Sequence, residues 1–205
     1  MTNPRSHDMD EEVLTEWHPL PPFLPSGCRL LMLGSFPPAR KRWSMDFFYP
    51  NFINDMWRIF GICFFDDKQH FVDNERKTFR QSEIEQLLTR YGIGLFDTAT
   101  AVRRLKNTAS DKDLEVVEPT DLSALLRLLP QCHAVCTTGQ KATDLFCQHF
   151  LTVPPAVGQS IGFSFEGRQL RHYRMPSSSR AYPMKVERKA EAYSRMFEET
   201  VGRNF

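Results

Sequence analysis

The stretch "RLLMLGSFPPARKRW", from Arg29 to Trp43, decides the fold. A mostly apolar run, Arg29–Leu33, stops at Gly34. Ser35, Phe36, Pro37 and Pro38 then make a rigid turn that leads into the basic triplet Arg40, Lys41 and Arg42. A short apolar run bounded by glycine reads as a strand buried on both faces. After the turn, "INDMWRIFGI" sets Ile53, Met56, Trp57 and Phe60 at helical spacing. Strand, turn and helix in that order open an α/β unit.

The same alternation continues downstream. "SEIEQLLTRYG" predicts a helix from Ser82 with Gly92 as its C-cap, and "IGLFD" (93–97) a second buried strand. "RRLKNTASDKDLEVVEP" reads as a polar loop, with 107–114 a candidate mobile segment, and "TDLSALLRLLP" as a helix capped at Thr120. "HAVCTTG" is a third strand, and "QKATDLFCQHF" a helix starting just after Gly139. "IGFSFEG" and "RQLRHYRMP" form a hairpin around Glu166-Gly167, followed by the loop "SSSRAYP" and a long final helix, "MKVERKAEAYSRMFEETV". The expected class is α/β: a three-layer α/β/α fold with a central, mainly parallel four-stranded sheet. Residues 1–26 read as an N-terminal arm or tail that Trp17, Leu20 and Phe23 tack onto the body, and residues 27–205 as a single domain.

Composition fits that class. The chain has 205 residues, 41% hydrophobic and 25% charged, enough for one domain with a sizeable core. No segment approaches the eighteen or so apolar residues of a membrane span. The start "MTNPRSHDMDEEVLTEW" is acidic and polar rather than a secretory signal, so a cytoplasmic protein without membrane attachment is expected. The five cysteines (Cys28, Cys63, Cys132, Cys136 and Cys147) are odd in number and scattered, with no C-x-x-C pair. Reduced core thiols are expected, rather than disulfides or a zinc site. Net charge is +1, but residues 1–17 hold −4 of it, which leaves +5 on the rest of the chain. That balance permits a local basic face.

In a parallel sheet, ligands bind beyond the carboxyl ends of the strands. Those ends are "GSFPPARKRW", "FDTATAVRR", "TTGQKA" and "MPSSSRAYP". "TTGQKA" opens a helix with glycine, which suits an anion or a base oxygen, although turn chemistry alone also accounts for small residues there. No P-loop and no G-x-G-x-x-G is present, which ranks a nucleotide-binding or small-molecule enzyme last.

Two of these loops resemble a known family. Gly34-Ser35-Phe36-Pro37, "DFFYPN" (46–51) and Asn54-Asp55-Met56-Trp57 are similar to the first motif of the uracil-DNA glycosylase superfamily. Met175-Pro176-Ser177-Ser178-Ser179-Arg180 is similar to its late Pro-Ser loop. The resemblance runs from about residue 28 to 200 in element order, and is best to the hypoxanthine-DNA glycosylase and mismatch-specific uracil/thymine glycosylase branches. Two places depart from the pattern. Phe36 stands where an Asp or Asn positions water in many members, and Met175 where many carry a His. His172 is no substitute for that His, since it points to the opposite side of its strand from Tyr173 and Met175. The five cysteines do not match the iron–sulfur members.

The resemblance implies a monofunctional glycosylase that flips a deaminated base, uracil or hypoxanthine, out of double-stranded DNA and hydrolyses its glycosidic bond. No cofactor, metal or iron–sulfur cluster is implied, and a monomer is the default. Asn54 is the leading catalytic candidate in this reading, while as a residue type it also suits a helix cap, with Asn51 a rival. Gly34, Ser35, Phe36, Pro37, Asp97 and Gly139 are expected around the base, with Phe48 chosen from three adjacent aromatics to stack on it. Asp97 suits either a base N–H or a cap. Arg40, Lys41, Arg42, Pro176, Ser177, Ser178, Arg180 and Lys185 are expected at the DNA, with Arg188 and Lys189 beside them. A non-catalytic binder of damaged DNA with the same fold is the alternative.

Overall fold

A computed structural model describes residues 14–105 and 113–202. In chain order its strands are β1 Thr15–Trp17, β2 Leu30–Gly34, β3 Val72–Asp73, β4 Thr78–Phe79, β5 Ile93–Asp97, β6 Ala99–Arg104, β7 Leu114–Pro119, β8 Ala134–Thr138, β9 Gln159–Phe165 and β10 Arg168–Met175. The α-helices are α1 Met56–Phe65, α2 Gln81–Tyr91, α3 Leu122–Arg127, α4 Gln140–Phe150 and α5 Val186–Val201. The segment 107–114 lies outside the described residues, apart from Asp113 and Leu114.

The central sheet has the order β5-β2-β8-β10-β9. Its first four strands are mutually parallel, the four the sequence predicts, and β9 adds a fifth, antiparallel strand at the edge. Every residue of β2, β5 and β8 is buried, as continuous apolar strands covered on both faces must be. Helices α1 and α5 pack against each other on one face, where Phe60 meets Phe197. On the other face Phe146 of α4 lies against Phe163 and His172. The β9–β10 turn carries Glu166 and Gly167 at φ +48° and +79°, the paired left-handed conformation of a tight hairpin. Gly92 caps α2 at φ +66°, and a side chain there would strike the Gly27 carbonyl.

Two elements differ from the sequence reading. The stretch expected as a polar loop contains β7, which pairs with β6, while β1 adds a third strand on the other side of β6. Arg103, Glu115 and Glu118 face outward, while Ala99, Val102 and Leu114 turn inward onto Phe36 and form a second small core. Helix α3 is capped by Asp121, whose carboxylate accepts from Ala124 N at 2.9 Å, rather than by Thr120. The Thr120 hydroxyl donates instead to the main chain of Asp97 at 2.7 Å.

From Leu14 onward the N-terminal segment is woven into the body. Besides β1, Phe23 exchanges main-chain hydrogen bonds with Leu95 at 3.0 and 2.8 Å. Leu20 and Phe23 pack on the main core, whereas Trp17 is 65% exposed.

Candidate active site

The chain leaves β2 for β5 on one side and later returns to β8 on the other, so a crevice opens at the carboxyl end of β2. Register brings the strand ends level: Gly34 pairs with Asp97, and Thr138 with Met175. A pocket of about 130 Å³ lies above them. Its wall is the turn Gly34–Pro38, then Tyr49, Asn51, Asn54, Asp97, Arg104 and Thr138, and finally the Ser177–Ser179 loop.

Asp97 forms one side of this wall. Its Oδ2 accepts from His18 Nε2 at 2.9 Å, and both side chains are buried. Leu20 holds the other ring nitrogen of His18, and Phe36 and Phe96 flank the ring. Asp97 Oδ1 lies against Gly34 so closely that a Cβ there would run into it. Gly34 is therefore needed for space, because the carboxylate occupies the place of a side chain.

Asn54 faces the same pocket from the start of α1. Its Oδ1 accepts from Met56 N at 2.9 Å and so caps the helix, while Nδ2 has no partner among the described residues. The carboxamide thus keeps a donor for a ligand while its oxygen orders the helix. Asn51 also lines the pocket, with its Oδ1 on Ile53 N at 3.2 Å.

Tyr49 takes the pocket position expected for Phe48. Its φ is +50°, a left-handed backbone that costs a non-glycine residue roughly 1–2 kcal/mol. That bend brings the Tyr49 hydroxyl to Thr138 Oγ1 at 3.2 Å and makes the ring part of the wall. Phe48 points into the core instead, where it contacts His18, Phe47 and Phe96. The Phe48 carbonyl accepts from Trp57 Nε1 at 3.1 Å, which locks the aromatic turn onto α1. Arg104 donates to the Pro37 carbonyl at 2.6 Å and lies over the Phe36 ring, so it braces the proline turn.

The Ser loop is tied to both flanking helices. Ser178 O accepts from Asp55 N at 2.9 Å, and Pro176 O from the Tyr193 hydroxyl at 2.9 Å. Lys189, fully buried, donates to Asp55 Oδ2 at 2.9 Å and to Ser179 O at 2.8 Å. Lys189 is therefore a strut inside the protein and not a contact to DNA. Arg180 is exposed and reaches Asp55 Oδ1 at 3.3 Å. Lys185, at the N-cap of α5, is exposed, and Arg188 pairs with Glu191 on the surface.

The structure brings Gly34, Ser35, Phe36, Pro37, Asn54, Asp97, Ser177 and Ser178 to one pocket. Gly139 lies just behind it, at φ +91°, with its N–H on Met175 O at 3.4 Å rather than directed at a ligand. The triplet Arg40–Arg42 forms a 3-10 turn directly after the pocket wall. There Arg40 pairs with Asp46 and lies over the Trp43 ring at 4.4 Å. His172 is buried on the α4 side, bonded to Thr137 Oγ1 at 2.9 Å. Burial and the nearby Arg174 hold its pKa down to about 4.

His18, Thr138 and Arg104 are not among the sequence candidates, whereas Tyr49 is one of the three adjacent aromatics offered for stacking. A signal existed for Tyr49, the middle of "FFYPN", where the residue before proline is conformationally restricted. None existed for His18, whose partner lies 79 residues away.

No family model matches the chain, and no curated protein matches it. Among solved structures, it is similar to the solution structure of a "putative Uracil DNA glycosylase" from Methanosarcina acetivorans. The identity is 24%, the TM-score 0.56, and the alignment covers 87% of this chain and 96% of that one. The likeness shows the fold. Among the described residues, no helix is long and apolar enough to cross a membrane.

Proposed function

We propose that the chain is a DNA glycosylase that takes a deaminated base, uracil or hypoxanthine, out of double-stranded DNA and hydrolyses its N-glycosidic bond. One observation carries this reading: a single small pocket at the carboxyl end of the sheet holds an uncommitted donor, Asn54 Nδ2, and an acceptor side chain, Asp97. Deamination turns an exocyclic amine beside a ring acceptor into a carbonyl beside a ring N–H. One donor and one acceptor can pair with that carbonyl and that N–H. The pocket, at about 130 Å³, is well below the roughly 300–1,000 Å³ typical of drug-sized ligand sites, which favours a lone heterocycle.

Bond cleavage builds negative charge on the departing base. Asn54 Nδ2, donating to the base carbonyl, stabilises that charge without any need to titrate. Asp97 fixes the ring N–H and therefore the orientation of the base. The rings of Phe36 and Tyr49 exclude water and offer faces for stacking. Ser177, Ser178 and the basic turn at Arg40–Arg42 lie where the flanking backbone of a flipped nucleotide must pass.

The test is base release from a panel of duplexes carrying uracil, hypoxanthine, xanthine or a thymine mismatch, read as alkali-labile strand breaks. Asn54→Asp is the informative variant. It keeps the acceptor that caps α1 and removes the donor. Release is expected to fall by about 10²–10³-fold with the helix intact. The place of Phe36, packed into a core rather than orienting water, favours the binding-only alternative. Tight lesion binding with no release on any substrate would select it.

A further inference from the structure

A second hollow, of about 400 Å³, lies beside the first, between the start of α1, the turn after it and the start of α5. We propose that this hollow is a phosphate-binding site that holds one backbone phosphate of the DNA strand whose base enters the pocket. The identity of the ligand as DNA rests on the glycosylase reading; the phosphate chemistry does not.

Four cations line the hollow: Arg58, Lys68, Arg180 and Lys185. The one carboxylate among the lining residues, Asp55, is already engaged by Lys189 at 2.9 Å on its buried side and by Arg180 at 3.3 Å. Lys68 meets Glu187 at 3.3 Å, an exposed pair of the kind that contributes little. The Lys185 carbonyl accepts from Lys189 N at 3.0 Å, but its ammonium makes no hydrogen bond or ion pair among the described residues. The positive charge is therefore undercompensated locally, in a chain whose net charge is only +1.

Arg58 makes this a built site rather than a chance patch of surface lysines. It is buried, its guanidinium packs over the rings of Phe52 and Phe79, and Nη1 donates to the carbonyls of Phe52 at 2.8 Å and Asn54 at 3.0 Å. Burial and the charge of Arg180 both push its pKa down, so the guanidinium is held against a like charge. A bound anion would relieve both penalties at once. A planar guanidinium with fixed orientation, and lysines as mobile point charges, suit a phosphate group.

The hollow is coupled to the pocket. Arg58 is bonded to the carbonyl of Asn54, and the N–H of Asp55, which lines the hollow, is bonded to Ser178 in the pocket wall. A strand whose nucleotide enters the pocket can then rest a neighbouring phosphate in the hollow, which fixes its register.

The experiment measures binding by fluorescence anisotropy, on lesion duplexes in which one phosphodiester at a time is replaced by an uncharged methylphosphonate. Wild type is compared with a Lys68→Ala/Lys185→Ala double variant, both side chains being exposed. In wild type, neutralising one particular linkage near the lesion is expected to weaken binding about tenfold. In the double variant the same replacement is expected to have no further effect, and the slope of log K against log salt to fall by about one, for the single phosphate the hollow holds. Arg58→Lys, which keeps the charge but not the fork, is expected to lose the linkage dependence in part. Equal sensitivity at every linkage, an unchanged salt slope in the double variant, or no DNA binding at all overturns the proposal. So does inorganic phosphate binding tightly to the hollow without any linkage dependence, which would assign the site to a free phosphate. Linkage-specific binding without base release supports the phosphate site and removes the catalytic reading alone.

Discussion

The two ends of the central sheet both carry a hollow, and the larger is the less furnished. At the amino end, Leu24–Cys28 and Leu128–Gln131 enclose about 360 Å³, against about 130 Å³ at the carboxyl end. Among its lining residues the amino-end wall carries the polar side chains of Ser26 and Gln131 alone, beside leucines, prolines and a thiol. Its buried thiol, Cys28, is turned to the carbonyl of Leu30, and neighbouring Cys132 to that of Ala134. At the carboxyl end, Asn54, Asp97, Tyr49, Thr138 and four serines converge from the ends of β2, β5 and β8, the segment before α1 and the loop after β10. Parallel strands explain the asymmetry. From the carboxyl ends of β2, β8 and β10 the chain runs through a turn or loop to a helix start, where small residues and helix N-termini gather. Convergence of polar groups, rather than volume, separates a site from a gap.

The carboxyl end keeps that convergence because a buried ion pair ties its loops together, and breaking the pair is the strongest way to break the contrast. Lys189→Met leaves Asp55 buried with Arg180 alone and takes a donor from Ser179 O. Removing one partner of a buried pair costs about 3–5 kcal/mol, which urea unfolding will read. DNA affinity is expected to fall as well, because the Ser177–Ser179 loop loses its strut. If stability and affinity both hold, the loop is ordered by something other than this pair.

Sequence showed the sheet far better than the wall of the pocket, and the reasons are physical. The runs "LLMLG" and "IGLFD" are buried on both faces, so nothing in them competes with the apolar signal. Glu166-Gly167 and Gly92 declare themselves by backbone chemistry alone. The β6–β7 ribbon was hidden because one face is solvated. Arg103 stands opposite Glu115 across the ribbon, and charges spaced for cross-strand pairing look, along the chain, like a loop. Lys189 was misplaced for the opposite reason. Ala192, Tyr193 and Met196 follow it at helical spacing on the buried stripe of α5, so its position was the signal and its charge the distraction. His18 carried no local signal at all, since its role exists only once Asp97 is folded against it.

His172 sharpens the contrast from a third direction. It is polar, fully buried and strongly perturbed, yet it lies beneath both ends, with Nδ1 unpaired. Perturbed titration marks functional sites only probabilistically. Here the pKa is depressed to about 4, so the unfolded chain binds the proton more readily than the folded one. The folded state is therefore at full stability above the unfolded histidine pKa of about 6.5, and is destabilised as pH falls towards 4, by about 3 kcal/mol. His172→Leu is expected to remove that part of the acid sensitivity in urea titrations run from pH 7 to pH 4. Base release at pH 7 is expected to stay at the wild-type level. A large loss of release would place His172 in the site and show that perturbation, not placement, was the better guide.

The smallest expected effect belongs to the amino end, and its smallness carries the information. Leu128 is 68% exposed beside the larger hollow, and Gln131 is exposed on its rim. A Leu128→Ser/Gln131→Ala variant removes apolar surface and the one long polar side chain there. Surface changes away from caps, cores and buried pairs shift stability by within about 0.5 kcal/mol. Neither DNA affinity nor release is expected to change, since both residues lie at the opposite end of the sheet from the Asn54–Asp97 pocket. The parallel topology makes this a sharp expectation: β2 and β8 present their carboxyl ends to the pocket, while the segments that lead into their amino ends line the other hollow. An effect on release from this variant would mean that the amino end contributes to the chemistry, and an account resting on strand direction would fail at its first premise.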